Sequence, residues 1–230
     1  DSIAIYSSGS FPGMLLNALV AAESLELEPF LVVSLGASTW GANHMKSPWP
    51  VLAGELRRHG FIRHRADYYT LGGGRETGRG MPPEGELLLR SAAAEAGVSL
   101  LSAGSLPEMI TLKTDLLKKH SPELFISIGG SHANLGDDDK ILKLSPGLIS
   151  PSESEFAGNG VIGNAVRSRI PVIHMLNLKS LSRQVGIPYD ASPRKTAPAK
   201  VGRLWSVAGV LLFLLVLWRH ERWRLESDEG

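Results

Sequence analysis

The sequence predicts an α/β fold: an open, mostly parallel sheet with helices on both faces, followed by a C-terminal transmembrane helix. Three observations carry this. Apolar runs at 3–6, 30–35 and 124–128 each break abruptly into small or hydroxyl-bearing turns, Ser7-Ser8-Gly9-Ser10, Gly36-Ala37-Ser38 and Gly129-Gly130-Ser131-His132. Strand-like and helix-like stretches alternate along most of the chain, the pattern of a parallel sheet with crossover helices. The chain has 230 residues, 43% of them hydrophobic and 20% charged, which is enough to bury a core and too apolar for a disordered chain.

The elements follow in order. The strand over 3–6 leads to a helix over 13–27 that opens near Pro12, where a missing N–H is no loss. A second strand over 30–35 is apolar throughout, as a strand buried on both faces is. A loop over 36–47 carries Trp40, Asn43, His44 and Lys46, and an amphipathic helix over 48–59 stops at Gly60. A strand over 67–71 runs into a glycine-rich loop over 72–83, and a helix over 84–96 stops at Gly97. A short strand over 98–101 precedes Ser105, which forms a capping box with Glu108 at the head of a helix that runs to Lys119 or His120. After the strand over 124–128 comes a long excursion, 136–160, with three consecutive aspartates. A helix over 160–169, a strand over 171–176 and a helix over 178–185 complete an α/β domain over 1–190.

Residues 191–203 are a Pro, Ala and Lys linker, 204–218 an almost unbroken apolar run with Trp205 and Trp218 near its ends, and 219–230 a charged tail. The run has no polar face and is flanked by Arg203 and Arg219, so it is expected to span a membrane although it is shorter than usual. The chain opens on Asp1 and enters a strand almost at once, which points to a fragment or processed form that has lost any signal peptide or N-terminal anchor. A net charge of +1 provides no global basic field for nucleic acid, and the absence of cysteine removes disulfides, thiolate metal sites and a cysteine nucleophile.

In open parallel sheets ligands sit beyond the carboxyl ends of the strands. That rim gathers Ser8, Ser10, Ser38, Asn43, Gly73, Gly130, Ser131, His132 and Asn134 as candidate ligand-binding residues. Hydroxyls and exposed N–H groups in such turns suit anions, and Lys46, Arg75 and Arg79 in the same loops suit carboxylates. Each loop taken alone is equally explained as a tight turn, and each cation as surface charge. No loop has a nucleotide-binding fingerprint. Ser8, Ser131 and His132 are weak catalytic candidates: adjacent Ser131 and His132 have diverging side chains, so a base would come from elsewhere, such as His44 or His174. His174, inside a strand pattern, reads more simply as a core residue. No cofactor and no metal is assigned.

Five phrases together go further: YSSGSFPG at 6–13, SLGASTWGAN at 34–43, SIGGSHANLG at 127–136, GVIGNAV at 160–166, and IPVIHMLNLKSL at 170–181 with GIPYD at 186–190. In these the chain resembles the poly-γ-glutamate system protein family, the W component encoded beside the membrane synthase for that polymer. The resemblance implies a membrane-associated accessory role in making, exporting or retaining an anionic polymer. Its partners would be glutamate-like carboxylates, the cell membrane and synthase or export subunits, with the α/β domain outside the cytoplasm. It transfers no catalytic residue. Two other readings stay open: a hydrolase or transferase acting on γ-glutamyl bonds, and a small-ligand-binding regulatory domain.

Overall fold

The structure, a computed structural model, describes residues 2–36, 46–190 and 203–227. Candidates Ser38 and Asn43, and with them His44, lie outside the described residues. The chain divides into two compact units, Asp1–Ile187 and Pro188–Gly230.

The first unit is built on a seven-stranded sheet of order β4-β3-β2-β1-β5-β7-β6. The strands are β1 (Ser2–Ser8), β2 (Glu28–Gly36), β3 (Tyr68–Gly72), β4 (Ser99–Leu101), β5 (Leu124–Ile128), β6 (Gly147–Ile149) and β7 (Val172–Met175). All neighbours pair in parallel except β6, which runs antiparallel to β7. The antiparallel edge strand β6 arises inside the excursion over 136–160, where the sequence predicts no strand. Its three residues begin with a glycine and lie between Pro146 and Pro151, a composition that marks loop rather than strand.

Side-chain alternation along the strands sorts the core onto two faces. Ile3 and Ile5 of β1, with Leu31, Val33 and Leu35 of β2, pack with Leu15 and Leu19 of α1 (Pro12–Ser24), Trp49 of α2 (Trp49–Arg58) and Leu89 of α3 (Pro83–Glu95). Ala4 and Tyr6 of β1, with Phe125 of β5, face the other way, against Leu117 of α4 (Leu106–His120) and Val161, Ile162 and Ala165 of α6 (Val161–Arg167). Between β5 and α6 lies the short α5 (His132–Leu135), and α7 (Leu178–Gln184) follows β7. Ser105 caps α4 by accepting from the Glu108 N–H at 3.4 Å, as the capping box predicts.

The order of the strands reverses at β1. Its chain leads to β2 on one side, whereas β4 crosses back to β5 on the other. Such a reversal leaves a crevice beyond the carboxyl ends of the two strands. The Ser8–Ser10 turn and the Gly129–His132 turn meet there. Gly129 adopts φ +79°, and a Cβ on it would sit 2.6 Å from the Phe11 ring and 2.9 Å from the Ser8 Cβ. Only glycine lets the two turns approach so closely.

The second unit contains α8 (Arg203–Ser227). Between Trp205 and Trp218 its described large apolar side chains are exposed, from 47% for Leu217 to 76% for Trp205. Among the described residues no helix is long and apolar enough to cross a membrane. The span expected over 204–218 is therefore not shown. At 1.5 Å per residue the run covers about 22 Å, short of a hydrocarbon core of ~30 Å.

Candidate functional site

A cleft of about 850 Å³ opens over the carboxyl ends of β1, β2, β3 and β5. Six of the residues predicted for the rim line it: Ser8, Ser10, Gly73, Gly130, Ser131 and His132. Arg79 also lines it, and Met81, Pro82, Leu88 and Leu89 form an apolar wall. The loop over 72–81 supplies one side. It is bent back on itself by hydrogen bonds from the Gly74 N–H to the Arg79 carbonyl at 2.9 Å and from the Gly78 N–H to the Gly72 carbonyl at 2.8 Å.

The floor of the cleft is a buried polar cluster centred on Glu76, which is 1% exposed. Its Oε1 receives the Lys113 ammonium at 2.8 Å, the Thr70 hydroxyl at 2.9 Å and the Ser34 hydroxyl. Its Oε2 receives the Ser131 hydroxyl at 2.5 Å and the Ala133 N–H at 2.9 Å. Burial alone would raise the carboxyl pKa, but the Lys113 charge and the hydrogen bonds from Lys113, Ser131 and Ser34 outweigh it and hold the group well below the usual carboxylate range. Lys113 is itself buried in α4, its Nζ 5.2 Å from the centre of the Tyr6 ring. The Tyr6 hydroxyl donates to the Lys113 carbonyl at 3.0 Å.

His132 points outward from the same turn. Its Nδ1 accepts from the Arg75 N–H at 3.0 Å, which leaves Nε2 to carry the proton of the neutral ring. Ser131 and His132 thus diverge, as expected for adjacent residues. Ser131 meets Glu76, Lys113 at 3.5 Å and the Asn134 N–H at 3.4 Å; Ser8 meets only Ser10, at 3.3 Å. Among the described residues no histidine is hydrogen-bonded to either serine. A carboxylate as acidic as Glu76 is a weak general base, since efficient proton abstraction needs a pKa near the working pH.

Three of the candidates, Asn134, Lys46 and Arg75, are not in the cleft lining. Asn134 is fully buried and does not line the cleft: its Nδ2 donates to the Ser127 hydroxyl at 3.0 Å and to the Tyr6 carbonyl at 3.4 Å, tying α5 to the sheet. Its position one turn into α5 directs it back beneath the strand ends. Lys46 is exposed but does not line the cleft, and Arg75 contributes its N–H to His132 rather than a lining side chain. His174 is a core residue, 4% exposed, but not a satisfied one: among the described residues neither ring nitrogen has a hydrogen-bond partner.

Glu76 and Lys113 are the residues that sequence reasoning missed. Lys113 falls on the apolar side of α4, between Met109 and Ile110 before it and Leu117 after it, and a lysine at such a position was the available signal. Among the described residues no group of histidine, aspartate or glutamate side chains is arranged to hold a metal ion. Comparison of the chain with family models, with curated proteins and with solved structures gives no match.

Proposed function

We propose that this chain is a membrane-associated accessory protein of poly-γ-glutamate synthesis or export, whose cleft holds carboxylates of the polymer. The observation that carries the reading is the cleft itself. It combines the exposed Arg79 with the hydroxyls of Ser8 and Ser10, and the Ser131 hydroxyl, which donates to Glu76, lines it as well. Arginine and hydroxyl donors are the groups that hold a carboxylate in water-exposed sites. The sequence phrases that resemble the poly-γ-glutamate system family support the identity of the ligand. The apolar run over 204–218, exposed wherever its side chains are described, is the segment that attaches the α/β unit to the membrane. A run of this length fits a bilayer by local thinning and by snorkelling of the flanking arginines. Synthase or export subunits are the protein partners that this reading implies.

Calorimetry with defined γ-linked glutamate oligomers tests the proposal, with the oligomer length followed by mass spectrometry over hours. Binding that weakens with salt, falls at least tenfold in Arg79→Ala and leaves the oligomers intact is expected. Shortened or rearranged oligomers would replace this reading with that of a γ-glutamyl hydrolase or transferase. Absence of binding would sink the carboxylate cleft.

A further inference from the structure

The donors around Glu76 form a more complete carboxylate receptor than the outer cleft. One ammonium, three hydroxyls and one N–H converge on a single carboxylate, and the four side chains are each at most 7% exposed. They come from regular elements and their ends: Ser34 from β2, Thr70 from β3, Lys113 from α4, and Ser131 with Ala133 from the start of α5. The occupant comes from a loop. Arg75 and Glu76 sit consecutively in the left-handed region, at φ 56° and 60°, between glycines at positive φ on either side. Two non-glycine residues in succession there are costly and persist only where something holds them. The Thr77 N–H closes their turn on the Gly74 carbonyl at 3.3 Å, and the Glu76 carboxylate in its receptor anchors it to the sheet. Ser34, Glu76 and Ser131 all line the cleft, so the receptor communicates with the outside along the side chain that fills it.

We infer that this pocket is a carboxylate-binding site for a ligand entering through the cleft, and that Glu76 is the chain's own stand-in occupant, displaced when the loop over 73–80 lifts. An incoming glutamyl carboxylate replaces like with like. Every donor keeps an acceptor, and the Lys113 charge keeps its counter-ion, so the exchange avoids the large penalty of a bare buried ammonium. The displaced Glu76 gains water, and Arg75 and Glu76 relax. The inference rests on the polymer reading only for the identity of the entering ligand; the chemistry of the pocket stands without it.

Two measurements on the full chain test it. In Glu76→Ala the lost atoms are one CH₂ and the carboxylate, which acetate supplies. Melting temperature is read in sodium acetate and in sodium chloride at matched concentration. A saturable, acetate-specific rise of several degrees is expected in E76A, and none in the wild type or in E76A/K113M. If E76A does not fold in chloride, recovery of folded protein from urea is read instead, and it should require acetate and Lys113. No acetate effect, or the same effect without Lys113, overturns the receptor. Exchange is read in the wild type by trypsin cleavage after Arg75 and Arg79. Glutarate should accelerate it saturably over matched chloride. An unchanged rate overturns the exchange and leaves Glu76 a fixed clasp. Acetate rescue without any binding of γ-glutamate oligomers would sink the polymer reading and not this one.

Discussion

At the residue scale three buried titratable groups dominate, Glu76, Lys113 and His174. Removing one partner of the Glu76–Lys113 pair leaves the other charged and alone, which costs ~3–5 kcal/mol. Lys113→Met should lower unfolding stability by that amount in urea, and the double variant Glu76→Leu with Lys113→Met should recover a good part of it. The carboxyl pKa of Glu76 is held below its ordinary 4.5, at about 2. Its stabilising contribution is therefore fully present above pH 4.5 and is lost as pH falls toward 2. His174 acts over a higher range. Burial, which disfavours the imidazolium, lowers its pKa from 6.5 to about 4, and among the described residues neither ring nitrogen has a hydrogen-bond partner. The unfolded chain then binds more protons than the native one between those values. Stability should be at its full value above pH 6.5 and fall by roughly 3 kcal/mol as pH drops to 4. In His174→Phe that fall should disappear from urea titrations across the range, while the loss below pH 4.5 due to Glu76 remains.

At the element scale the meeting of β2 and β3 shapes the cleft. Gly36 and Gly72 pair across the two strands, and a Cβ on Gly72 would lie 2.8 Å from the Gly36 backbone, at a φ of +73°. Gly72→Ala should therefore cost more than about 1 kcal/mol and weaken oligomer binding at the same time, since the loop that carries Glu76 and Arg79 begins there. Gly13 is the control. It sits in the first turn of α1 with nothing within 4 Å of its Cβ position and no positive φ, so Gly13→Ala should be neutral or stabilising by up to ~1 kcal/mol. Thermal unfolding of the two variants compares them directly. The main strands, the long helices and the α4 cap were legible because each carries its own signal, a periodicity, a glycine stop or a capping box. The short β6 and α5 were not. β6 lies among prolines and glycines and α5 is a single turn, so their form is imposed by the neighbours they pair with and pack against.

At the scale of the whole molecule, the sheet, both apolar faces and the cleft all belong to the unit Asp1–Ile187. A chain cut after residue 190 should thus keep a cooperative unfolding transition and keep any binding of γ-glutamate oligomers. The same cut should abolish flotation with anionic liposomes, which the full chain should show through its apolar run. Flotation of the cut chain would move the membrane contact to the α/β unit.

Sequence by itself determined the alternation of strands and helices, hence the parallel sheet and the rim on which its turns gather. These follow from local patterns of apolar, glycine and capping residues. Six of the candidate rim residues line the cleft for that reason. Only the tertiary structure decided what the floor of the cleft is made of. Ser34, Thr70, Glu76, Lys113 and Ser131 are scattered across the chain, and the distance from Glu76 to Lys113 alone is 37 residues in sequence. Nothing local marks a glutamate in a glycine-rich loop as a buried ion. It becomes one because the ends of β2 and β3, the inner face of α4 and the start of α5 bring an ammonium and four other donors to one point.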